Sequence, residues 1–172
     1  VNDLGGEQDG SGGNVGPAQE VVDEIVGMGG KAIANDDSVA TWEGAKAIID
    51  CAVDTFGDLH GLVNNAGILR DRMLVSMSEE DFDSVINVHL KGTWLMMKHA
   101  SAHWREKAKA GEEVRASIVN TSSTSGLHSN IGQGNYGPAK SAIATLSIIG
   151  ARELGRYGVR VNAIAPSART RM

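Results

Sequence analysis

Two residues spaced one helical turn apart form the strongest chemical signal in the sequence. Tyr136 and Lys140 stand four positions apart in Tyr-Gly-Pro-Ala-Lys, and residues with this spacing lie on the same face of a helix. A phenol is a poor base near neutral pH because its ordinary pKa is about 10. A neighbouring ammonium stabilises the phenolate, which is the tuning that acid–base catalysis requires. Such pairs also occur on ordinary helix surfaces, so other residues must support the interpretation.

A serine precedes this pair at the end of a predicted strand. Ser123 lies 13 residues before Tyr136 and follows the strand predicted over residues 117–121. Open α/β sheets build their sites at the carboxyl ends of strands, so the Ser123 hydroxyl can hydrogen-bond a substrate oxygen held beside Tyr136. Alternatively, Ser122, Ser123 and Ser125 are loop residues that satisfy backbone groups.

Two further polar positions stand near predicted strand ends or on apolar helix faces. Asn64-Asn65-Ala66-Gly67 follows a strand directly. Its Ala and Gly allow a ligand to approach the backbone closely, and its asparagines can cross-link neighbouring strand ends; the alternative is an ordinary turn. Asn87 interrupts an apolar helix face and must find a partner or incur a desolvation cost. It is therefore either a satisfied core asparagine or part of a relay.

The elements that position these residues alternate between short strands and amphipathic helices. This alternation indicates βαβ units, and hence a parallel sheet with helices on both faces. Ser78 and Asp81 resemble a capping box that opens the longest helix, which is predicted to bury Phe82, Val85, Ile86, Met96, Met97 and Ala100. Strands are predicted over residues 1–3, 31–35, 60–64, 117–121 and 159–164, and helices from Pro17 to near Gly29-Gly30, from about Ala45 to Gly57, from Ser78 to beyond Ala100, and from about Asn135 to Tyr157.

Composition and charge argue against several classes of partner. The 172 residues carry a formal net charge of −5, whereas nucleic acids and anionic membranes favour a basic face. No apolar run reaches the roughly 20 residues of a membrane-spanning helix. Cys51 is the only cysteine, so no intramolecular disulfide can form and a reducing cytoplasm is the simplest location. We therefore expect a cytoplasmic protein that acts on a small molecule.

The motifs together resemble the short-chain dehydrogenase/reductase family. Asn-Asn-Ala-Gly after a strand, a helical asparagine, and then Ser-x12-Tyr-x3-Lys occur here in the family's order. The resemblance implies that Tyr136 is the general acid/base and that Ser123 orients the substrate oxygen. It implies that Lys140 binds the nicotinamide ribose and stabilises the phenolate, and that Asn87 holds a water of a proton relay. It also implies a doubly wound Rossmann sheet, and homodimers or homotetramers packed through the two long helices.

The resemblance also implies a cofactor. An acidic residue at the position of Asp3 accepts hydrogen bonds from the adenosine ribose and repels a 2′-phosphate, so NAD is expected rather than NADP; the alternative is a solvated loop aspartate. The segment around Pro166 departs from the family, because Ser167 replaces a usual glycine and Thr170 comes one residue early. The full set of implied cofactor contacts is Asp3, Asp37, Ser38, Asn64, Ala66, Gly67, Tyr136, Lys140, Pro166 and Thr170.

A glycine-rich stretch over residues 5–16 is not expected to be the dinucleotide loop. It follows the strand that carries Asp3, so we interpret it as a flexible insertion. The family's first strand with its glycine-rich loop, and its last strand, have no counterpart in this sequence. We therefore expect the sequence to be a partial copy of a longer protein.

The two ends of the sequence suggest a substrate class. Residues 1–6 and 165–172 resemble the 3-hydroxyacyl-CoA dehydrogenase regions of peroxisomal multifunctional enzymes type 2 and their bacterial relatives. The resemblance implies oxidation of a 3-hydroxyacyl-CoA, with steroid alcohols as close competitors. A 3-oxoacyl-carrier-protein reductase is a further alternative, although Asp3 argues against it. A different class remains open: a non-catalytic fragment that keeps the long helices as an assembly interface.

Overall fold

Strands and helices alternate along the chain in the computed structural model, which describes residues 1–7, 9–12 and 16–167. This alternation confirms the predicted α/β class. The helices are α1 (Gly16–Gly27), α2 (Trp42–Phe56), α3 (Glu79–Ile86), α4 (Gly92–Lys109), α5 (Thr124–His128) and α6 (Tyr136–Leu154), and the strands are β1 (Gly61–Asn64), β2 (Ala116–Thr121) and β3 (Val159–Ile164). Short 3-10 turns cover Leu74–Ser76 and Gly155–Tyr157, and a π-helical turn, Asn87–Lys91, joins α3 to α4.

The three strands form a parallel sheet in the order β1-β2-β3. Val63 of β1 pairs with Val119 of β2, which pairs in turn with Asn162 of β3. Parallel neighbours need crossover connections; here α3 and α4 connect β1 to β2, and α5 and α6 connect β2 to β3. The carboxyl ends of all three strands therefore lie at one edge of the sheet.

Two further predicted strands are reduced to a single bridge. The sequence predicts strands over residues 1–3 and 31–35, but only Asn2 and Asn35 pair, in parallel and outside the three-stranded sheet. The side-chain amide of Asn2 donates to the Asn35 side-chain oxygen at 2.8 Å and to the Asp37 backbone oxygen at 2.9 Å. Each segment is short and pairs with one other described segment, so side-chain hydrogen bonds, and not an extended set of backbone pairs, join the two.

The core lies on one face of the sheet. Ile118 is completely buried, and Met96, Met97 and Trp104 of α4 pack into the same cluster; the two methionines are core residues, as predicted. The sequence predicts helices on both faces, but the described helices α2, α4 and α6 share this one. On the opposite face Val63 is 67% exposed. Helices α2, α4 and α6 therefore form one helical layer of the predicted fold.

Glycines end the helices close to the predicted positions. Gly57 ends α2 with a left-handed φ of 82°, which glycine adopts without steric cost. Gly158 does the same after α6, with a φ of 80°, and a Cβ at this position would stand 2.0 Å from the Val114 backbone oxygen. α1 begins one residue before the predicted Pro17 and ends at Gly27, slightly earlier than predicted.

The long helix differs most from the prediction. Its capping box is confirmed, because Ser78 Oγ accepts the Asp81 N–H at 3.1 Å and Asp81 Oδ2 accepts the Ser78 N–H at 3.4 Å. Asn87, which the sequence analysis placed on an apolar helix face, is exposed. His89 is buried in its place, because it lies four residues after the buried Val85 and therefore on the same helix face. Phe82, predicted to be buried, is 42% exposed because no described element covers its ring fully.

Candidate active site

The first turn of α6 brings the predicted phenol and ammonium together. Lys140 Nζ lies 5.5 Å from the centroid of the Tyr136 ring. The same nitrogen donates to the Thr121 backbone oxygen at 2.6 Å, at the carboxyl end of β2. Lys140 is 4% exposed, whereas Tyr136 is half-buried. The pair is therefore a feature of the sheet edge and not of an open helix surface.

Burial changes the proton affinity of Lys140. Desolvation disfavours the charged form and lowers the pKa of the Lys140 ammonium from 10.5 to about 8. Near pH 7 the ammonium still predominates over the neutral amine. A positive charge is thus held beside the Tyr136 ring, where it favours a developing phenolate.

A buried asparagine that the sequence analysis did not assign to the site anchors the start of α6. Asn135 is fully buried, and its Oδ1 accepts the Tyr136 N–H at 2.7 Å. Its Nδ2 donates to the backbone oxygens of Arg70 and Asp81, both at 3.0 Å. One side chain thus fixes the first turn of α6 against α3 and the loop after β1. An asparagine directly before a helix start is a capping signal, and that signal could have indicated its role.

Ser123 lies at the carboxyl end of β2, as predicted, and caps α5. Its Oγ accepts the Ser125 N–H at 3.1 Å, as the loop interpretation predicts, and its own O–H can still donate; the functional interpretation stays a prediction. Ser122 Oγ donates to the Lys140 backbone oxygen at 2.8 Å. A Cβ at Gly126 would stand 2.7 Å from the Lys140 backbone. This close packing of α5 on α6 holds the serines next to the Tyr136 helix.

The predicted cross-link between strand ends is confirmed. Asn64 Nδ2, at the end of β1, donates to Asn120 Oδ1 of β2 at 2.8 Å. Asn120 is fully buried and donates in turn to Ser147 Oγ of α6 at 2.9 Å. The chain of hydrogen bonds satisfies a buried amide that would otherwise be costly. It also couples two strand ends to the helix that carries Tyr136.

Gly67 has a different neighbour from the one the sequence suggested. A Cβ at Gly67 would lie 2.3 Å from the Cε1 atom of the His89 ring. The imidazole therefore occupies the space that a side chain at this position would need. Packing of the His89 ring therefore requires glycine at position 67. The neighbouring Ala66 is exposed, so a ligand can still approach the backbone there.

The other assigned residues have no described contact with Tyr136. Asn87 is exposed, so the desolvation argument that singled it out does not apply. Asp3 is exposed and accepts the Gly5 N–H at 2.7 Å. Asp37 accepts from the Asn35 side chain at 2.7 Å.

The other three assigned cofactor contacts are Ser38, Pro166 and Thr170. Ser38 is half-buried, and its Oγ accepts the Ala40 N–H at 3.2 Å. Pro166 is exposed just beyond β3. Thr170 lies outside the described residues. These assignments, like that of Asn87, stay predictions.

Two other site types find no support in the described part of the chain. No group of three or more His, Cys, Asp or Glu side chains in residues 1–7, 9–12 and 16–167 is arranged to hold a metal ion. No helix within the same residues is long and apolar enough to cross a membrane.

Comparison with known proteins places the chain among dehydrogenases. Residues 11–172 match the family described as short chain dehydrogenase. The crystal structure of a short chain dehydrogenase from Mycobacterium avium has a TM-score of 0.92 and 58% sequence identity, over 100% of this chain and 59% of that one.

Two curated relatives agree with the narrower resemblance. A hydroxyacyl-CoA dehydrogenase of Mycobacterium tuberculosis is 47% identical over 161 residues, which are 90% of this chain and 50% of that protein. Peroxisomal multifunctional enzyme type 2 of Mus musculus is 43% identical over 172 residues, which are 100% of this chain and 22% of that protein. The chain thus spans half the length, or less, of these two relatives.

Proposed function

Because the chain belongs to the short chain dehydrogenase family, we propose that it forms the catalytic part of an oxidoreductase that interconverts a secondary alcohol and a ketone. One observation supports this above the others. A buried ammonium, that of Lys140, lies 5.5 Å from the Tyr136 ring centroid at the carboxyl edge of a parallel sheet. This edge is where open α/β folds bind their ligands.

Each polar group at this edge has a chemical role in the proposal. In the oxidation direction the Tyr136 phenolate, which the Lys140 ammonium stabilises, accepts the proton of the substrate hydroxyl through Oη and becomes the neutral phenol. Ser123 donates a hydrogen bond to the substrate oxygen and so orients the reacting carbon. Bound NAD supplies the hydride acceptor. Asn87 holds a water for the proton relay, which an exposed amide does without a desolvation cost.

The residues present fit a nicotinamide dinucleotide at both of its ends. Lys140 uses one of its three N–H donors on Thr121, which leaves two for ribose hydroxyls. Asp3 accepts a backbone N–H through Oδ1, which leaves Oδ2 for the adenosine ribose diol and favours NAD over NADP. The other proposed contacts are Asp37, Ser38, Asn64, Ala66, Gly67, Pro166 and, outside the described residues, Thr170.

An apolar surface beside the site supports a lipid-like substrate. Leu74, Val75 and Ile131, here called the apolar rim, are 79%, 95% and 89% exposed. The two segments that carry them adjoin, because the Arg72 N–H donates to the Gly132 backbone oxygen at 2.8 Å. Large exposed apolar groups mark binding surfaces. The proposed substrate is therefore a 3-hydroxyacyl-CoA, in agreement with the named activity of the mycobacterial relative, or a steroid alcohol.

The proposal has two alternative functions and includes an oligomeric state. A 3-oxoacyl-carrier-protein reductase would need the same catalytic groups but usually prefers NADPH, against which Asp3 argues. A non-catalytic module would keep the two long helices as an interface between copies. Exposed Trp94 on α4 and Ile148 and Ile149 on α6 support a homodimer or homotetramer packed through those helices. A cytoplasmic location is proposed as well.

The test compares two tyrosine variants and two cofactors. Tyr136→Phe removes the acid/base, and we expect turnover of a 3-hydroxyacyl-CoA to fall by roughly 10²–10⁴-fold. Tyr157→Phe is the matched control, because among the described residues the Tyr157 hydroxyl accepts from the neighbouring Arg156 alone. Unchanged turnover in Tyr136→Phe would refute the proposed acid/base. In calorimetric titrations, binding of NAD but not NADP supports the role of Asp3, and tighter binding of NADP contradicts it.

A further inference from the structure

His89 is a buried histidine that contacts both the loop after β1 and the catalytic helix. It is 1% exposed and lies in the middle of the π turn. Its Nε2 is 2.8 Å from the Ile68 backbone oxygen and 3.1 Å from the Ile68 backbone nitrogen. Its ring meets the Tyr136 ring edge to face, at a centroid distance of 5.1 Å and an interplanar angle of 89°. None of the roles assigned above uses this residue.

The hydrogen bonds favour one tautomer of the imidazole. His89 Nδ1 is buried and has no hydrogen-bond partner among the described residues. If Nε2 accepted from the Ile68 N–H, Nδ1 would carry a buried proton with no acceptor, and orphaned N–H groups are rarer than unfilled acceptors. Nε2 therefore carries the proton and donates it to the Ile68 carbonyl.

The ring is also neutral, which suits its place beside an ammonium. Burial, and then the positive charge of Lys140, lower the pKa of His89 from 6.5 to about 4. Near neutral pH the imidazole therefore adds no charge that would compete with Lys140 for a phenolate. Its effect on Tyr136 must be one of geometry and packing.

We propose that His89 is a positioning residue that fixes the Tyr136 ring beside Lys140 and, through the same imidazole, holds the Gly67–Ile68 backbone at the cofactor edge. The inference rests on the proposed function, in which Tyr136 is the acid/base. The ring packs against Gly67 so closely that a Cβ there would stand 2.3 Å away. One side chain of the π turn thus contacts both the loop after β1 and α6, and it fixes their positions relative to each other.

Loss of the ring should be measurable on Tyr136 itself. Without the edge-to-face contact the phenol can swing away from Lys140 Nζ, and the phenolate loses part of the ammonium's attraction. Any increase in this separation, which is 5.5 Å between Lys140 Nζ and the ring centroid, weakens the attraction between ammonium and phenolate, so the phenol ionises at higher pH.

The experiment uses the fact that the chain has only two tyrosines. In a Tyr157→Phe background Tyr136 is the single tyrosine, so the near-ultraviolet absorbance of tyrosinate reports its ionisation alone. His89→Leu removes both the ring and the hydrogen bond. His89→Gln keeps a donor for the Ile68 carbonyl but has no ring. His103→Gln is the matched control, since His103 lies on α4 and bonds to Asp58 at 3.1 Å.

We expect the midpoint to rise in both His89 variants and to stay unchanged in His103→Gln. If His89→Leu fails to fold, as circular dichroism will show, His89→Gln decides the question. An unchanged midpoint in folded His89→Gln overturns the proposal, and so does an equal rise in His103→Gln.

The titration requires neither cofactor nor substrate, so the two hypotheses can fail separately. A raised midpoint in a protein without turnover rejects the proposed function and leaves the positioning role standing. Turnover that depends on Tyr136, together with an unmoved midpoint, rejects the positioning role alone.

Discussion

Lys140→Met isolates the energetic cost of holding an ammonium at this site. In the unfolded chain the lysine keeps its proton up to its ordinary pKa of 10.5, whereas burial in the folded protein lowers the pKa of Lys140 to about 8. Between these values the unfolded state binds more protons, so the free energy of unfolding rises with pH. Below the folded-state pKa the lysine is charged in both states, and the desolvation of its ammonium lowers the free energy of unfolding by about 3 kcal/mol.

Urea denaturation of the wild type and of Lys140→Met at several pH values tests this reasoning. From about pH 7 to about pH 10.5 we expect the wild type to gain about 3 kcal/mol relative to the variant. The comparison cancels the other groups that titrate in this range. Methionine also leaves the Thr121 carbonyl without its donor, but this loss does not change with pH.

An exposed lysine provides the matched control. Lys31 is exposed, and Lys31→Met should differ from the wild type by the same amount at every pH. If the Lys140→Met difference is equally flat, the ammonium is not desolvated in the folded protein. The Lys140 ammonium would then be solvated, and not buried, beside Tyr136.

Three further predictions concern stability, each measured by urea denaturation. Gly67→Ala should lose roughly 1–3 kcal/mol, because the new Cβ would meet the His89 ring at 2.3 Å. His89→Gln should abolish an acid-dependent loss of about 3 kcal/mol in the wild type, since the pKa of His89 is lowered from 6.5 to about 4 and the folded state resists protonation in that window. Asp58→Asn should lose about 1 kcal/mol near neutral pH and less below about pH 4, because Lys107 holds the pKa of the Asp58 carboxyl well below its usual range.

Matched variants separate these effects from general damage. A Cβ at Gly61 would come no closer than 4.0 Å to the Ser117 backbone oxygen, so Gly61→Ala should cost less than Gly67→Ala. Asp50 pairs with Lys46 on the exposed face of α2, and Asp50→Asn should cost only a few tenths of a kcal/mol. Equal losses within either pair would contradict the structural explanation.

Local patterns in the sequence were sufficient for much of the site. The spacing of Tyr136 and Lys140 fixed their common face, and strand ends placed Ser123 and Asn64 at one sheet edge. These inferences depend only on helical and strand periodicity, which the fold preserves here. The capping box and Gly57 were equally local signals.

The sequence analysis placed Asn87 on a buried face because its sequence neighbours are apolar. With 3.6 residues per turn, however, His89 lies four residues after the buried Val85 on the same helix face, whereas Asn87, two residues after Val85, lies on the opposite side. Helical periodicity therefore predicts His89, and not Asn87, as the buried polar residue. The full role of Asn135 was missed because two of its three hydrogen bonds reach residues that are distant in sequence, Arg70 and Asp81.

The layered sheet was predicted only in part, because strand pairing depends on partners as well as on local preference. The segments at Asn2 and Asn35 are extended as expected, yet each has a single described neighbour and they form one bridge. A ladder needs several residues in register on adjacent strands. The alternation of residue types therefore predicted where extended backbone occurs, but not how far it pairs.

The strand β1 has a consequence for the behaviour of this polypeptide in solution. Among the described residues it pairs with β2 alone, and the side chain of Val63 on its open face is 67% exposed. Unpaired N–H and C=O groups along an apolar strand are a template for another chain. A form of the chain in which this edge of β1 stays unpaired should therefore self-associate by strand addition at high concentration, and Val63→Lys should reduce that association.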